Sequence, residues 1–108
     1  MKHATHRKKV TVHNEEGLQM KLAARLAQEA QKFASRIHLV FHDAKVDAKS
    51  VLDILTLAAG NGAMLSIEAQ GHDAYAAIGQ LSEVFEESDV KEPSREAFNQ
   101  VRYSESRL

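Results

Sequence analysis

The sequence lacks cysteine and tryptophan altogether, and it has one proline, Pro93, among 108 residues. Without cysteine there can be no disulfide bridge, thiolate metal site or cysteine nucleophile, which fits a reducing compartment. An excess of charge is also lacking, since 14 basic and 15 acidic side chains leave a net charge of -1. The bulk charge therefore provides no drive toward nucleic acid or an anionic membrane.

Long apolar runs are missing as well. No stretch approaches the length of a membrane-spanning helix, and the basic start, Met1 to Lys9, leads into an alternating segment rather than the apolar core of a signal peptide. We therefore expect a cytoplasmic protein. The composition, 44% hydrophobic and 27% charged, is typical of a globular domain, and the length suits one domain.

The spacing of apolar residues predicts the order β-α-β-β-α-β-α. Strands are expected at about 8–13, 37–42, 45–47 and 64–70, and helices at 20–33, after Ser50 and after a capping Asp73. The strands are half polar, so we expect a four-stranded antiparallel sheet with helices on one face, an open-faced α+β sandwich. Residues 1–87 form the predicted domain, and the polar segment 88–108 is expected to be a flexible or weakly helical appendage.

Ser50 stands directly before the short second helix, with Asp53 three residues later. A serine hydroxyl accepts hydrogen bonds from free N–H groups at a helix start, and a carboxylate three residues on completes a capping box. The local pattern alone therefore predicts a structural cap at Ser50.

Two segments resemble the signatures of the HPr family, the phosphocarriers of the sugar phosphotransferase system. Gly17-Leu18-Gln19-Met20-Lys21-Leu22-Ala23 is similar to the active loop Gly-Leu/Ile-His-Ala-Arg-Pro-Ala, and the run from Val46 to Ala58 is similar to the second signature around a lysine-serine pair. Three glycines also fall where the family keeps glycine, at 60, 62 and 71. The resemblance spans about residues 8–86 and implies an HPr-like fold, no enzymatic activity and no cofactor.

The resemblance places Gln19 where the family has its phosphate-accepting histidine. A glutamine amide nitrogen has its lone pair delocalised into the carbonyl, so it is not a useful nucleophile. Lys21 keeps a cation but replaces a guanidinium fork with a point charge. Glutamine here also marks the Crh proteins, the catabolite-repression relatives of HPr, so the expected role is regulatory rather than phosphotransfer.

In that family a dedicated HPr kinase/phosphorylase modifies a serine, which Ser50 matches, and the phosphoserine form docks on a regulatory protein. The resemblance implies a partner surface made of Gln19, Met20, Lys21, Lys49, Val51, Leu52 and Leu55, with Lys45 as a further cation near Ser50. Asp53 opposes such a switch, because like charges one helical turn apart repel. A homodimer is a further expected arrangement.

Two other hypotheses stay open at this point. His13 could accept phosphate in place of the missing histidine, or the domain could be a generic ligand-binding or dimerisation module indifferent to Ser50. His38 and His42 lie four residues apart in the predicted second strand, which suits zinc only if a third ligand is near, so no metal site is predicted. The other three histidines suggest no site.

Overall fold

The computed structural model describes residues 4–90, with side chains described as far as Glu87. The predicted order β-α-β-β-α-β-α is confirmed. The strands and helices are β1 (Thr5–Thr11), α1 (Met20–Ala30), β2 (Arg36–Phe41), β3 (Ala44–Asp47), α2 (Val51–Thr56), β4 (Met64–Gln70) and α3 (Ala74–Val90).

The four strands form one antiparallel sheet in the order β1-β4-β2-β3. Alternate residues of the strands point to opposite faces, so Val10, Leu39 and Ile67 are buried under the helices while their neighbours face away from them. Leu26 of α1, Ile54 of α2 and the apolar face of α3 complete the core. The predicted open-faced α+β sandwich is confirmed, with all three helices on one face.

Three predicted boundaries were wrong. β1 spans Thr5–Thr11 rather than 8–13, because it pairs with β4 as far as Gln70, and His13 follows the strand. α1 ends at Ala30 rather than at residue 33, because the Lys32 and Phe33 N–H groups bond three residues back, as in a tighter turn. His42 lies in the β2–β3 turn with φ of 56°, so it does not share a strand with His38.

α1 and α2 pack side by side in opposite directions. At the end of α1, the Gln31 side chain donates to the Lys49 carbonyl at 2.8 Å, and the Lys49 ammonium donates to the Phe33 carbonyl at 2.7 Å. At the start of α1, the Leu18 N–H donates to the Ala59 carbonyl, beyond the end of α2, at 2.9 Å. Ser50 therefore lies near the end of α1, and residues 59–60 lie near its beginning.

Asp73 joins the α1–β2 loop to the start of α3. Its carboxylate accepts the Ala34 and Ser35 N–H groups at 2.8 and 2.9 Å, and it also accepts the Ser35 hydroxyl. The Ser35 hydroxyl and then the Ala34 N–H lower the pKa of Asp73 from 3.8 to about 2, because both stabilise its charged form. Asp73 does precede α3 as predicted, but these bonds direct its carboxylate to the 34–35 loop.

The backbone of α3 continues past the predicted domain boundary at residue 87, to Val90. No glycine or proline interrupts the chain between 80 and 90, so the helical hydrogen bonding can continue. The rest of the predicted appendage, 91–108, lies outside the described residues. Among the helices described, none is long and apolar enough to cross a membrane.

Candidate partner-binding site

The loop from β1 to α1 is held tightly against the α2–β4 loop by Gly17. Its φ is 73°, a conformation that favours glycine, and its N–H donates to the Asn14 carbonyl at 2.7 Å. A Cβ at this position would meet the Ala59 carbonyl oxygen at 2.6 Å and the Gly60 Cα at 2.9 Å. Glycine is therefore required here for two reasons, its backbone angle and the close approach of a second loop.

Gln19 is the N-cap of α1, and its side chain is exposed. Its backbone is extended, and its side chain makes no capping hydrogen bond. No acidic residue lies in the first turn of α1, so neither a cap nor a carboxylate offsets the positive end of the helix dipole there. The structure thus presents a polar, non-nucleophilic amide at a helix start that favours anions.

Apolar side chains are exposed at both ends of the α1–α2 pair. Met20 is 59% exposed next to Gln19, and Leu52 is 72% exposed in the first turn of α2. Val51 and Leu55 are half-buried and pack against the core. Exposed apolar residues beside polar ones are typical of protein docking surfaces.

Ser50 is the N-cap of α2, as predicted. Its hydroxyl oxygen accepts the Asp53 N–H at 3.2 Å, and Ser50 itself is half-buried. The capping box does not close, because the Ser50 N–H donates to the Asp47 carbonyl at 3.1 Å and the Asp53 carboxylate accepts a long bond of 3.4 Å from the Asp47 N–H. Ser50 is therefore a one-sided cap.

Asp47, which was not predicted from the sequence as a site residue, brings a second carboxylate close to Ser50. Its Oδ1 accepts the Lys49 N–H at 2.9 Å, forming an Asx turn that leads into α2. The Asp-x-Lys-Ser spacing was the available signal, because aspartate commonly bonds the backbone two residues on. Any charge on Ser50 therefore faces Asp47 as well as Asp53.

The two lysines expected to assist a phosphate are engaged elsewhere. The Lys49 ammonium donates to the Phe33 carbonyl, so a phosphate on Ser50 would have to compete for it. Lys45 is 3.3 Å from the Glu68 carboxylate on the open face of the sheet, away from the helices. Lys21, the third cation considered, lies in the first turn of α1, at the other end of that helix from Ser50.

The structure separates the two halves of the predicted site. Gln19, Met20 and Lys21 begin α1, whereas Ser50 lies near its end, beside Gln31. Eleven residues of helix at about 1.5 Å each span about 16 Å. A partner that contacts both halves must therefore lie along the α1–α2 pair.

The histidines considered from sequence are dispersed. His13 is exposed in the β1–α1 loop, His38 faces the open side of the sheet opposite Glu68 and Asp47, and His42 is exposed in the β2–β3 turn. Among the side chains that the structure describes, residues 4–87, no three of His, Asp or Glu are grouped so that they could hold a metal ion.

Comparisons with known proteins agree on one family. The family model described as the PTS HPr component phosphorylation site matches residues 6–87. The chain is 36% identical over 77 residues to the phosphocarrier protein HPr of Xylella fastidiosa, covering 71% of this chain and 86% of that protein. A crystal structure of HPr from Bacillus anthracis is also 36% identical, with a TM-score of 0.72, covering 76% of this chain and 98% of that one.

Crh of Bacillus subtilis is similar too, at 36% identity and a TM-score of 0.63, covering 74% of this chain and 92% of the Crh chain, which forms a domain-swapped dimer in its crystal. Relatives thus include both HPr and Crh proteins, and the TM-scores show that this chain shares their fold. From β1 to α3, over residues 6–87, this chain belongs to the HPr family of phosphocarrier proteins of the phosphotransferase system.

Proposed function

We propose that this protein is a regulatory, Crh-like member of the HPr family that does not carry phosphate on a histidine. The observation that carries the proposal is Gln19 at the exposed N-cap of α1, the position that the resemblance assigns to the phosphate-accepting histidine. An amide there can accept or donate hydrogen bonds to a partner, but it cannot attack a phosphoryl group. On this proposal the phosphoryl-accepting step of the family is lost, and the binding surface is kept.

The test is phosphoryl transfer from phosphoenolpyruvate by the general phosphotransferase enzyme, with an ordinary HPr as the positive control. We expect no acid-labile phosphate on the natural chain, and we expect Gln19→His to gain some, since it restores the imidazole at the helix start. Acid-labile phosphate on the natural chain that is lost in His13→Ala would instead establish the substitute-carrier hypothesis. His13 is exposed in the loop before Gln19, which keeps that outcome open to measurement.

We further propose that Ser50 is the regulatory phosphorylation site, modified by a kinase of the HPr kinase/phosphorylase type using ATP. A phosphate at the start of α2 gains from the helix dipole, about 0.3–1 kcal/mol at an exposed site. Repulsion from Asp47 and Asp53 offsets this stabilisation by a similar amount, since each pair of like charges about one turn apart destabilises by a few tenths of a kcal/mol. The modification is therefore nearly neutral for the fold, and its effect lies in the charge that it presents to a partner.

The kinase reaction tests this site. We expect one phosphate on the natural chain, none on Ser50→Ala, and faster labelling of Asp53→Gly, because that change removes one of the two opposing carboxylates. No label on any of these chains, with the same kinase active on an ordinary HPr, would reduce Ser50 to a helix cap.

The proposed partner surface runs along α1 and α2 and comprises Gln19, Met20, Lys21, Val51, Leu52 and Leu55. Lys49, expected from the sequence to belong to it, contributes its hydrogen bond to the Phe33 carbonyl rather than a free charge. We expect Leu52→Ser to raise the KM of the kinase reaction. Met64→Ser is the matched control, because Met64 is 63% exposed on the opposite side of the sheet, and it should leave the KM unchanged.

The remaining sequence predictions belong to this proposal as well. We place the protein in the cytoplasm, with a domain of residues 1–87 and an appendage after it. The homodimer stays a prediction, and the swapped dimer of Bacillus subtilis Crh gives a reason to measure it by sedimentation equilibrium before and after phosphorylation.

A further inference from the structure

The face of the sheet away from the helices carries a set of cations that the proposed function does not use. We call it the cationic face, defined by Arg7 and Lys9 of β1, Arg36 of β2 and Lys45 of β3. Glu68 is the acid of this face, because the Asp47 carboxylate accepts the Lys49 N–H at the start of α2, so the four cations leave three formal positive charges in a chain whose net charge is -1. The positive charge is therefore local.

A depression of about 180 Å³ lies at the end of this face where β1 starts and β4 ends. The strand register places Thr5 opposite Gln70 and Arg36 next to the same Gln70, so polar side chains of three strands meet there. The lining residues are Thr5, Arg7, Arg36, His38, Lys45, Glu68, Ala69 and Gln70. All but two of the side chains in this set can donate a hydrogen bond.

Glu68 fixes two of the cations in place. Its carboxylate accepts Arg7 Nε at 2.9 Å and lies 3.3 Å from the Lys45 ammonium, and its side chain is 16% exposed. The hydrogen bond from Arg7, with Lys45 adding to it, lowers the pKa of the Glu68 carboxyl. The Glu68 carboxylate thus pairs with both Arg7 and Lys45 and holds them beside the depression.

The cations are only partly neutralised by the Glu68 carboxylate. Arg7 uses Nε in the pair, so its two terminal nitrogens are left for another acceptor. Arg36 makes no ion pair with any residue in the described part of the chain, and it is exposed beside Gln70. A planar guanidinium without a carboxylate partner matches the geometry of a phosphate group.

We propose that this depression binds a small phosphate-bearing anion, held by Arg36, Arg7, Lys45 and the Thr5 hydroxyl. Its size suits one or two phosphoryl groups rather than a folded surface, and the net negative charge of the whole chain disfavours long polyanions. The site lies on the opposite side of the sheet from Ser50 and Gln19. The anion site and the proposed function can therefore be tested independently of each other.

The experiment is an NMR titration of the full chain with inorganic pyrophosphate at low ionic strength, since exposed charges are screened by salt. We expect saturable shifts of the amides of residues 5, 7, 36, 68 and 70 at roughly millimolar ligand. Arg36→Gln should weaken binding about fivefold or more. Arg25→Gln is the matched control, because Arg25 is an exposed arginine on α1 that pairs with Glu87.

Glu68→Gln is the second variant. It should raise the affinity for the anion, whereas damage to the fold would lower it. Removing the carboxylate removes repulsion of the anion and frees both cations, so we expect tighter binding, by about threefold or more. No saturable shifts, or equal weakening by Arg25→Gln and Arg36→Gln, would overturn the proposal. Tighter binding of a polyglutamate peptide than of pyrophosphate would also overturn it, and would assign the face to an acidic protein partner.

Discussion

Replacing Gly17 by alanine tests how closely the β1–α1 loop packs against the α2–β4 loop. The alanine would keep φ near 73°, which costs a residue with a Cβ about 1–2 kcal/mol. Its Cβ would also come to 2.6 Å from the Ala59 carbonyl oxygen, which belongs to the backbone and cannot rotate away. The loops must therefore move apart, and overpacking of this kind costs a further 1–3 kcal/mol or so.

Gly62 provides a matched control, because its φ of 88° is similar but nothing lies within 4 Å of its Cβ position. Gly62→Ala should cost about 0.5–1 kcal/mol, since its backbone strain is partly offset by the smaller entropy of the unfolded chain. Gly17→Ala should cost about 3 kcal/mol, since it adds the steric term. The difference in the free energy of unfolding between the two variants, about 2 kcal/mol, measures the steric cost that comes from the close approach of the two loops.

Urea denaturation followed by circular dichroism measures both free energies of unfolding. For a domain of this size, about 3 kcal/mol lowers Tm by more than 10 °C, so a thermal scan gives the same ranking. A Gly17→Ala variant no less stable than Gly62→Ala would refute the steric role of this contact. The backbone strain would then account for the whole effect, and the contact with Ala59 would be unimportant.

Three further predictions follow from single contacts. Ser50→Ala should lower the free energy of unfolding by about 1 kcal/mol in urea denaturation, because it removes the cap of α2. Ser50→Asp should retain most of the stabilisation from the cap, because aspartate is also a good N-cap residue. Asp73 has a folded pKa of about 2, below its ordinary value of 3.8, so its stabilisation is present above about pH 4 and is lost as the pH falls toward 2. Melting curves of Asp73→Asn should therefore depend less on pH in this window, while Asp43→Asn in the exposed β2–β3 turn should melt like the natural chain. Leu52→Ser should change stability by no more than about 0.5 kcal/mol in thermal scans, because the side chain is 72% exposed, and a larger loss would mean that Leu52 packs in the fold.

The element order was predictable because the apolar spacing is unambiguous. Ile67 and Ala69 alternate with polar residues, and Leu22, Leu26 and Ala30 recur at helical spacing, so both periods can be read from the sequence. The element ends were less predictable. Thr5 to Lys9 look like a polar terminus, and their assignment to β1 depends on pairing with β4, a partner more than fifty residues away.

The sequence predicted which residues make up the candidate site, but it did not predict their tertiary contacts. The signature segments placed Gln19 and Ser50 at helix starts, which the structure confirms. Local sequence gives no sign that the Lys49 ammonium reaches the Phe33 carbonyl or that Lys45 pairs with Glu68, because both contacts join elements distant in the chain. These tertiary contacts decide which cations can reach Ser50.

Intact-protein mass spectrometry of one preparation with two phosphoryl donors tests the central claim most directly. One reaction contains ATP and a kinase of the HPr kinase/phosphorylase type, and the other contains phosphoenolpyruvate and the general phosphotransferase enzyme. We predict one added phosphate with ATP, absent in Ser50→Ala, and none with phosphoenolpyruvate. An added phosphate from phosphoenolpyruvate would contradict the account and show that this chain still carries phosphate without a histidine at position 19.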